Sequence, residues 1–188
     1  MNSNVGMSGI NRASVMGAVI AGGKSTRFGS DKAVAAYQGR LLIDHAIASI
    51  AGQTAEVVMC GRDYDGLRSI SDQPAPDMGP LGGIAAALIE AQARGYAAVL
   101  TAPCDAINLP DNLLNLFFPF PAYAASLPVI GLWPVSAAAD ALAILESDDI
   151  HSVKAFARRI GARAVQLPFE PANINTAADL ERVERHGL

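Results

Sequence analysis

The sequence predicts a single α/β domain in three layers, with a mostly parallel central sheet between two helical layers. Three observations carry this. Short apolar runs without polar alternation, the mark of strands covered on both faces, recur at Val15–Ile20, Val57–Cys60 and Ala97–Ala102. Each is followed by a glycine- or proline-bearing loop and then by a segment of helical pattern, so strand, loop and helix repeat three times in the first 120 residues. Hydrophobic residues make up 51% of the 188-residue chain and charged residues 17%, enough apolar surface for one sizeable core. No linker, repeat or low-complexity segment divides it.

Taken in order, residues 1–14 read as a disordered leader of Asn, Ser and Gly, and residues 15–188 as the domain. Val15–Ile20 is the first strand. Leu41–Ile50 has helical spacing of apolar residues, and Val57–Cys60 is a second strand closed by Gly61. Gly79-Pro80-Leu81-Gly82-Gly83 reads as a sharp break before an alanine-rich helix over 84–94. Ala97–Ala102 is a third strand, stopped by Pro103-Cys104-Asp105. Pro110 opens a helix over 111–117. Further on, 129–133 reads as a strand, 136–146 and 153–160 as helices, 164–167 as a strand and 177–184 as a last helix with Thr176 as its N-cap.

Bulk properties exclude several functions. The net charge of −4 gives no basic field for a nucleic-acid backbone. Two cysteines, Cys60 and Cys104, in apolar strand-like runs predict buried reduced thiols in a cytoplasmic protein. The uncharged stretch 116–139 is long enough to cross a bilayer. Its prolines at 119, 121, 128 and 134 interrupt helical hydrogen bonding, so it reads as buried strand and loop, not as a membrane span.

In an open α/β sheet, ligands bind beyond the carboxyl ends of the strands, and four clusters fall at that edge. The first runs from Ala21 to Lys32. Its paired glycines, Gly22 and Gly23, let backbone N–H groups approach a polyphosphate, and Arg27 and Lys32 add cations. The spacing matches neither the dinucleotide fingerprint nor the Walker loop. In the second, Asp105 suits a hard divalent cation such as Mg2+, which binds through one or two carboxylates plus substrate oxygens; a helix or turn cap is its alternative. In the third, Asp72 offers acceptors to the amino and imino groups of guanine, and Gly79, Gly82 and Gly83 permit close approach of base or ribose. An ordinary acidic loop is the alternative there. In the fourth, Asn173 and Asn175 alternate along an extended segment and point the same way, toward a second substrate or a metal shell. Helix capping is equally served by that stretch. His45 reads as a satisfied core or edge residue, His151 and His186 as surface.

Together, Ala-Gly-Gly-Lys-Ser-x-Arg-Phe-Gly-x-Asp-Lys (21–32), Gly-Pro-Leu-Gly-Gly (79–83), Pro-Cys-Asp (103–105), Gly-Leu-Trp-Pro-Val (131–135) and Asn-Ile-Asn-Thr-x-x-Asp-Leu (173–180) resemble the molybdenum cofactor guanylyltransferases over nearly the whole chain. The resemblance implies a Rossmann-like fold and transfer of GMP from GTP to molybdopterin. It implies GTP binding by Ile20, Ala21, Gly22, Lys32 and Asp72. It further implies that Asp105 contacts both GTP and Mg2+, and that Asn173 and Asn175 lie toward the pterin. On this reading the substrates are GTP and molybdopterin. Other molybdenum cofactor biosynthesis proteins make transient contacts, and the chain is a monomer or weak homo-oligomer. Leu127-Pro128 stands where relatives often carry His-Pro, and the stretch from Phe118 to Leu127 is short.

Overall fold

A computed structural model describes residues 10–22, 35–148, 150–169 and 171–174. In chain order the strands are β1 (Val15–Ile20), β2 (Ala36–Tyr37), β3 (Arg40–Leu41), β4 (Val57–Cys60), β5 (Arg68–Ile70), β6 (Ala98–Pro103), β7 (Ala106–Ile107), β8 (Ala122–Ala124), β9 (Gly131–Pro134), β10 (Arg163–Val165) and β11 (Ala172–Asn173). The helices are α1 (Leu42–Ala51), α2 (Gly79–Ala93), α3 (Leu113–Phe117), α4 (Ala138–Leu145) and α5 (Val153–Arg159).

Among these residues the central sheet has the order β10-β8-β9-β6-β1-β4-β5. β1 runs parallel to both β6 and β4, and β5 runs parallel to β4. β9 is antiparallel to β6 and to β8, so the sheet is mostly parallel, as the sequence predicts. β1 is buried throughout because successive side chains enter opposite layers. Met16, Ala18 and Ile20 join a core with Ile84, Leu88, Trp133, Ile144 and Phe156 of α2, β9, α4 and α5. Val15 and Val19 join a second core with Ile43, Ile50, Leu113 and Phe117 of α1 and α3. Two cores on two faces of one sheet are the three layers expected.

Several boundaries differ from the sequence reading, each for a packing reason. The stretch 79–83 is not a break: α2 begins at Gly79, with Pro80 in its first turn. Glycine's poor helix propensity is overridden there by contact with the sheet, for Leu81, Gly82 and Gly83 are all buried. The α3 helix starts at Leu113 after Asn112, two residues later than Pro110 suggests. β2 and β3 form a hairpin whose turn, Gln38 and Gly39, has positive φ at both residues (50° and 75°). The end of the expected leader is structured: Arg12–Ser14 form a 3-10 turn. Arg12 Nε donates to Thr54 O at 2.8 Å and its Nη2 to Ala51 O at 3.3 Å, placing a cation at the carbonyl end of α1. The last expected helix and Thr176 lie outside the described residues.

The uncharged stretch is strand and loop interrupted by the short α3 and the start of α4, and no described helix is long and apolar enough to cross a membrane. Its anchor is Trp133, fully buried between Phe156 (ring centroids 5.2 Å apart) and Tyr123 (6.2 Å, stacked). Trp133 Nε1 donates to Thr101 Oγ1 at 2.9 Å, and that hydroxyl in turn donates to Val129 O at 2.5 Å. The indole folds back over Gly131, where a Cβ would collide with Cζ2 and Cε2. Gly-x-Trp is therefore a packing unit between β9 and β6.

Candidate active site

The carboxyl ends of β1, β4 and β6 lie side by side, and their backbones stay tied beyond the ladder. Ala21 N donates to Cys60 O at 2.9 Å, and Cys104 N donates to Ile20 O at 3.1 Å. Chain emerging from β1 is thus fixed between the loops that follow β4 and β6. Ala21 and Gly22 are half-buried at this edge, while the Ile20 side chain belongs to the core. Ile20 can therefore serve a ligand through the position of its backbone and not through its side chain. Gly23, Arg27 and Lys32, like Asn175, lie outside the described residues.

Asp72, two residues beyond β5, comes directly over Gly22. An ideal Cβ on Gly22 would stand 3.1 Å from Asp72 Oδ2 and 3.3 Å from Oδ1, so only glycine leaves that carboxylate uncrowded. From the other side, α2 presses in: a Cβ on Gly82 would lie 2.5 Å from Met78 Cβ and 3.2 Å from Asp72 Cβ. Gln73 N donates to Gly82 O at 3.2 Å. The sequence assigns Gly82 to close approach of base or ribose; what it visibly admits is the Asp72 loop against the helix.

Asp72 is 5% exposed. Burial pushes its carboxyl above the usual range, a backbone hydrogen bond with Met78 pulls it down, and the Asp77 charge raises it further. Its Oδ1 is buried without a hydrogen-bond partner among the described residues. A buried acceptor left unmade costs free energy, and a ligand donor would recover it. Beneath it, burial first and the Asp72 charge second push the Cys60 thiol far up. Cys104 is only half-buried, at the mouth of the strand, where the sequence predicts full burial. Neither forms a disulfide.

Asp105 stands half-buried just after β6. It is followed by β7, and Asn112 precedes α3, so Asp105 does not cap that helix; the turn between β6 and β7 keeps the turn-cap alternative open. β11 pairs antiparallel with β7 in a separate ribbon, with Asn173 opposite Ala106, and Ile174 N donates to Asp105 O at 3.4 Å. The second and fourth sequence clusters are thereby brought together. Ile174 anchors the returning segment in a small core with Tyr37, Leu42 and Ile107. No group of three or more metal-ligating side chains occurs among the described residues. Asp105 supplies one carboxylate, and Mg2+ binds through as few as one carboxylate together with waters and substrate oxygens.

The ribbon that carries Asn173 to Asp105 and the backbone junction at Gly61 were missed from sequence. Gly61 has φ +84°, and a glycine closing a buried strand was the available signal. His45 is a satisfied edge residue, its Nε2 3.0 Å from Tyr37 O.

Comparison with known proteins agrees with this geometry. The MobA-like NTP transferase domain family matches residues 17–165. A protein named molybdenum cofactor guanylyltransferase from Acidiphilium cryptum is 36% identical over 181 residues, covering 88% of this chain and 92% of the relative. One of the same name from Rhizobium leguminosarum is 32% identical over 197 residues, covering 94% of each. Among solved structures, molybdopterin-guanine dinucleotide biosynthesis protein A from Archaeoglobus fulgidus superposes with a TM-score of 0.66 at 20% identity, over 90% of this chain and 97% of that one. A 4-diphosphocytidyl-2C-methyl-D-erythritol synthase from Anaerococcus prevotii superposes equally well, at a TM-score of 0.65 and 10% identity over 94% of this chain and 99% of that one. The fold is therefore common to proteins of differing names, and the sequence relatives select among them. The chain belongs to the MobA-like NTP transferase family, as one of its molybdenum cofactor guanylyltransferases.

Proposed function

We propose that the chain is one nucleotidyltransferase domain that transfers GMP from GTP to molybdopterin, releasing pyrophosphate. The observation that carries the nucleotide choice is the buried Oδ1 of Asp72, against Gly22 and without a hydrogen-bond partner among the described residues. Guanine offers adjacent imino and amino N–H donors that a carboxylate can accept in pairs. The glycine loop from Ala21 to Lys32 would cradle the phosphates, with Arg27 and Lys32 as charge partners. Asn173, in the ribbon beside Asp105, would face the pterin together with Asn175.

The terminal phosphate of molybdopterin attacks the α-phosphorus of GTP, a new P–O bond forms, and the bond to the β-phosphate oxygen breaks as pyrophosphate leaves. A phosphate monoester is already anionic near neutral pH, so the protein needs no general base. Its work is alignment and charge neutralisation by Lys32, Arg27 and the loop N–H groups. Asp105 would hold Mg2+, which supplies further positive charge to the phosphate oxygens when bound. Cysteines that form no disulfide fit the reducing cytoplasm that we assign to the chain.

Incubation with each of the four triphosphates, Mg2+ and molybdopterin, with products identified by mass, tests this reading. The guanine dinucleotide and pyrophosphate are expected from GTP alone. A dominant cytosine product would overturn the nucleotide assignment, and no product from any triphosphate would overturn the enzyme reading.

A further inference from the structure

Gly61 belongs to none of the clusters picked out by sequence, yet it closes on the candidate site at two points. An ideal Cβ there would lie 2.6 Å from both Cα and N of Gly22, and 3.3 Å from Asp72 Oδ1. The atoms it would strike are backbone, which cannot turn aside as a flexible side chain can. Gly61 N donates to Ile70 O at 3.0 Å, and the preceding carbonyl, of Cys60, accepts from Ala21 N at 2.9 Å. Residue 61 is therefore held from both sides. A methyl there must displace Gly22, where the glycine-rich segment begins, or crowd the Asp72 oxygen that has no partner among the described residues.

We infer that Gly61 is a positioning residue for the nucleotide: the missing side chain lets the β4–β5 connection form the floor under Gly22 and leaves the Asp72 carboxylate uncrowded. This rests on the reading of the cleft as a GTP site and adds a residue to it.

The alternative is that Gly61 is glycine only because its φ of +84° strains any side chain. Gly66 separates the two explanations. It lies in the same connection with φ +79°, and a Cβ there would meet nothing within 4 Å. Substitution at 66 carries the backbone strain alone, and substitution at 61 carries the strain plus the collision. Asparagine tolerates the left-handed region better than alanine, so Gly61→Asn keeps the collision while easing the strain and the threat to folding.

The experiment measures GTP affinity by titration calorimetry, and steady-state kinetics, for the parent, Gly61→Ala, Gly61→Asn, Gly66→Ala and Gly66→Asn, each checked for folding by circular dichroism. The expected result is a GTP Kd and KM raised about ten-fold or more in both Gly61 variants. The KM for molybdopterin at saturating GTP stays unchanged, and both Gly66 variants bind GTP within about two-fold of the parent. Parent-like GTP affinity in Gly61→Asn would overturn the inference, as would equal losses at 61 and 66. Failure of both Gly61 variants to fold would make the residue a folding requirement and overturn it too. A parent that does not bind GTP would instead sink the functional reading on which the inference rests.

Discussion

The indole Nε1 of Trp133 donates to the hydroxyl of Thr101 across 2.9 Å, deep in the sheet and on the strand that leads to Asp105. Thr101 is fully buried, and the same hydroxyl reaches Val129 O. One oxygen thus ties β6, β9 and the loop between β8 and β9. Thr101→Val keeps the shape and deletes that oxygen, stranding the indole N–H. A loss of about 1–3 kcal/mol is expected, read by denaturant unfolding, with Thr101→Ser restoring most of it. Trp133 is the sole tryptophan, so its emission should shift in the valine variant and return in the serine variant.

Gly131→Ala should be worse, because the added methyl meets the Trp133 ring itself. Overpacking of this kind costs about 1–3 kcal/mol or more. Thermal unfolding checks it: a midpoint within a degree of the parent would mean that the indole has another place to go.

Asp72 makes stability depend on pH in a defined direction. Its folded carboxyl is raised by burial, so the folded state binds the proton more tightly than the unfolded one. Stability is then highest below the unfolded carboxyl value and falls as pH rises through the folded value. Asp72→Asn removes that fall, so the variant should gain stability relative to the parent at neutral pH. The same change replaces one acceptor by a donor and should weaken GTP binding about ten- to a hundred-fold. Unfolding curves across the acid range, paired with GTP titration, test both halves.

Asp105→Ala should leave folding intact, since the side chain is half-exposed, and abolish divalent-dependent release of pyrophosphate from GTP. Turnover near that of the parent would defeat the role given to this carboxylate.

The fold was legible where burial on both faces writes itself into consecutive residues. β1 and β4 coincide with the apolar runs Val15–Ile20 and Val57–Cys60, and β6 differs by one residue at each end. Amphipathic spacing gave α1 and α5 within a residue or two. Gly79–Gly83 was misread because local propensity says break, whereas the absence of side chains lets α2 close onto Asp72 and the sheet.

By itself the sequence determined the layers, and it picked out the edge that holds the candidate site and Asp72 and Asp105 as candidate functional carboxylates. Local composition sets strand burial and turn chemistry, and those residues sit at ends of elements that local pattern defines. The tertiary structure alone decided which residues meet. Asn173 pairs with Ala106, next to Asp105, in a two-residue ribbon, Gly61 lies against Gly22, and Gly131 makes room for Trp133. These are contacts between segments far apart in the chain, fixed by packing geometry, and no periodicity records them.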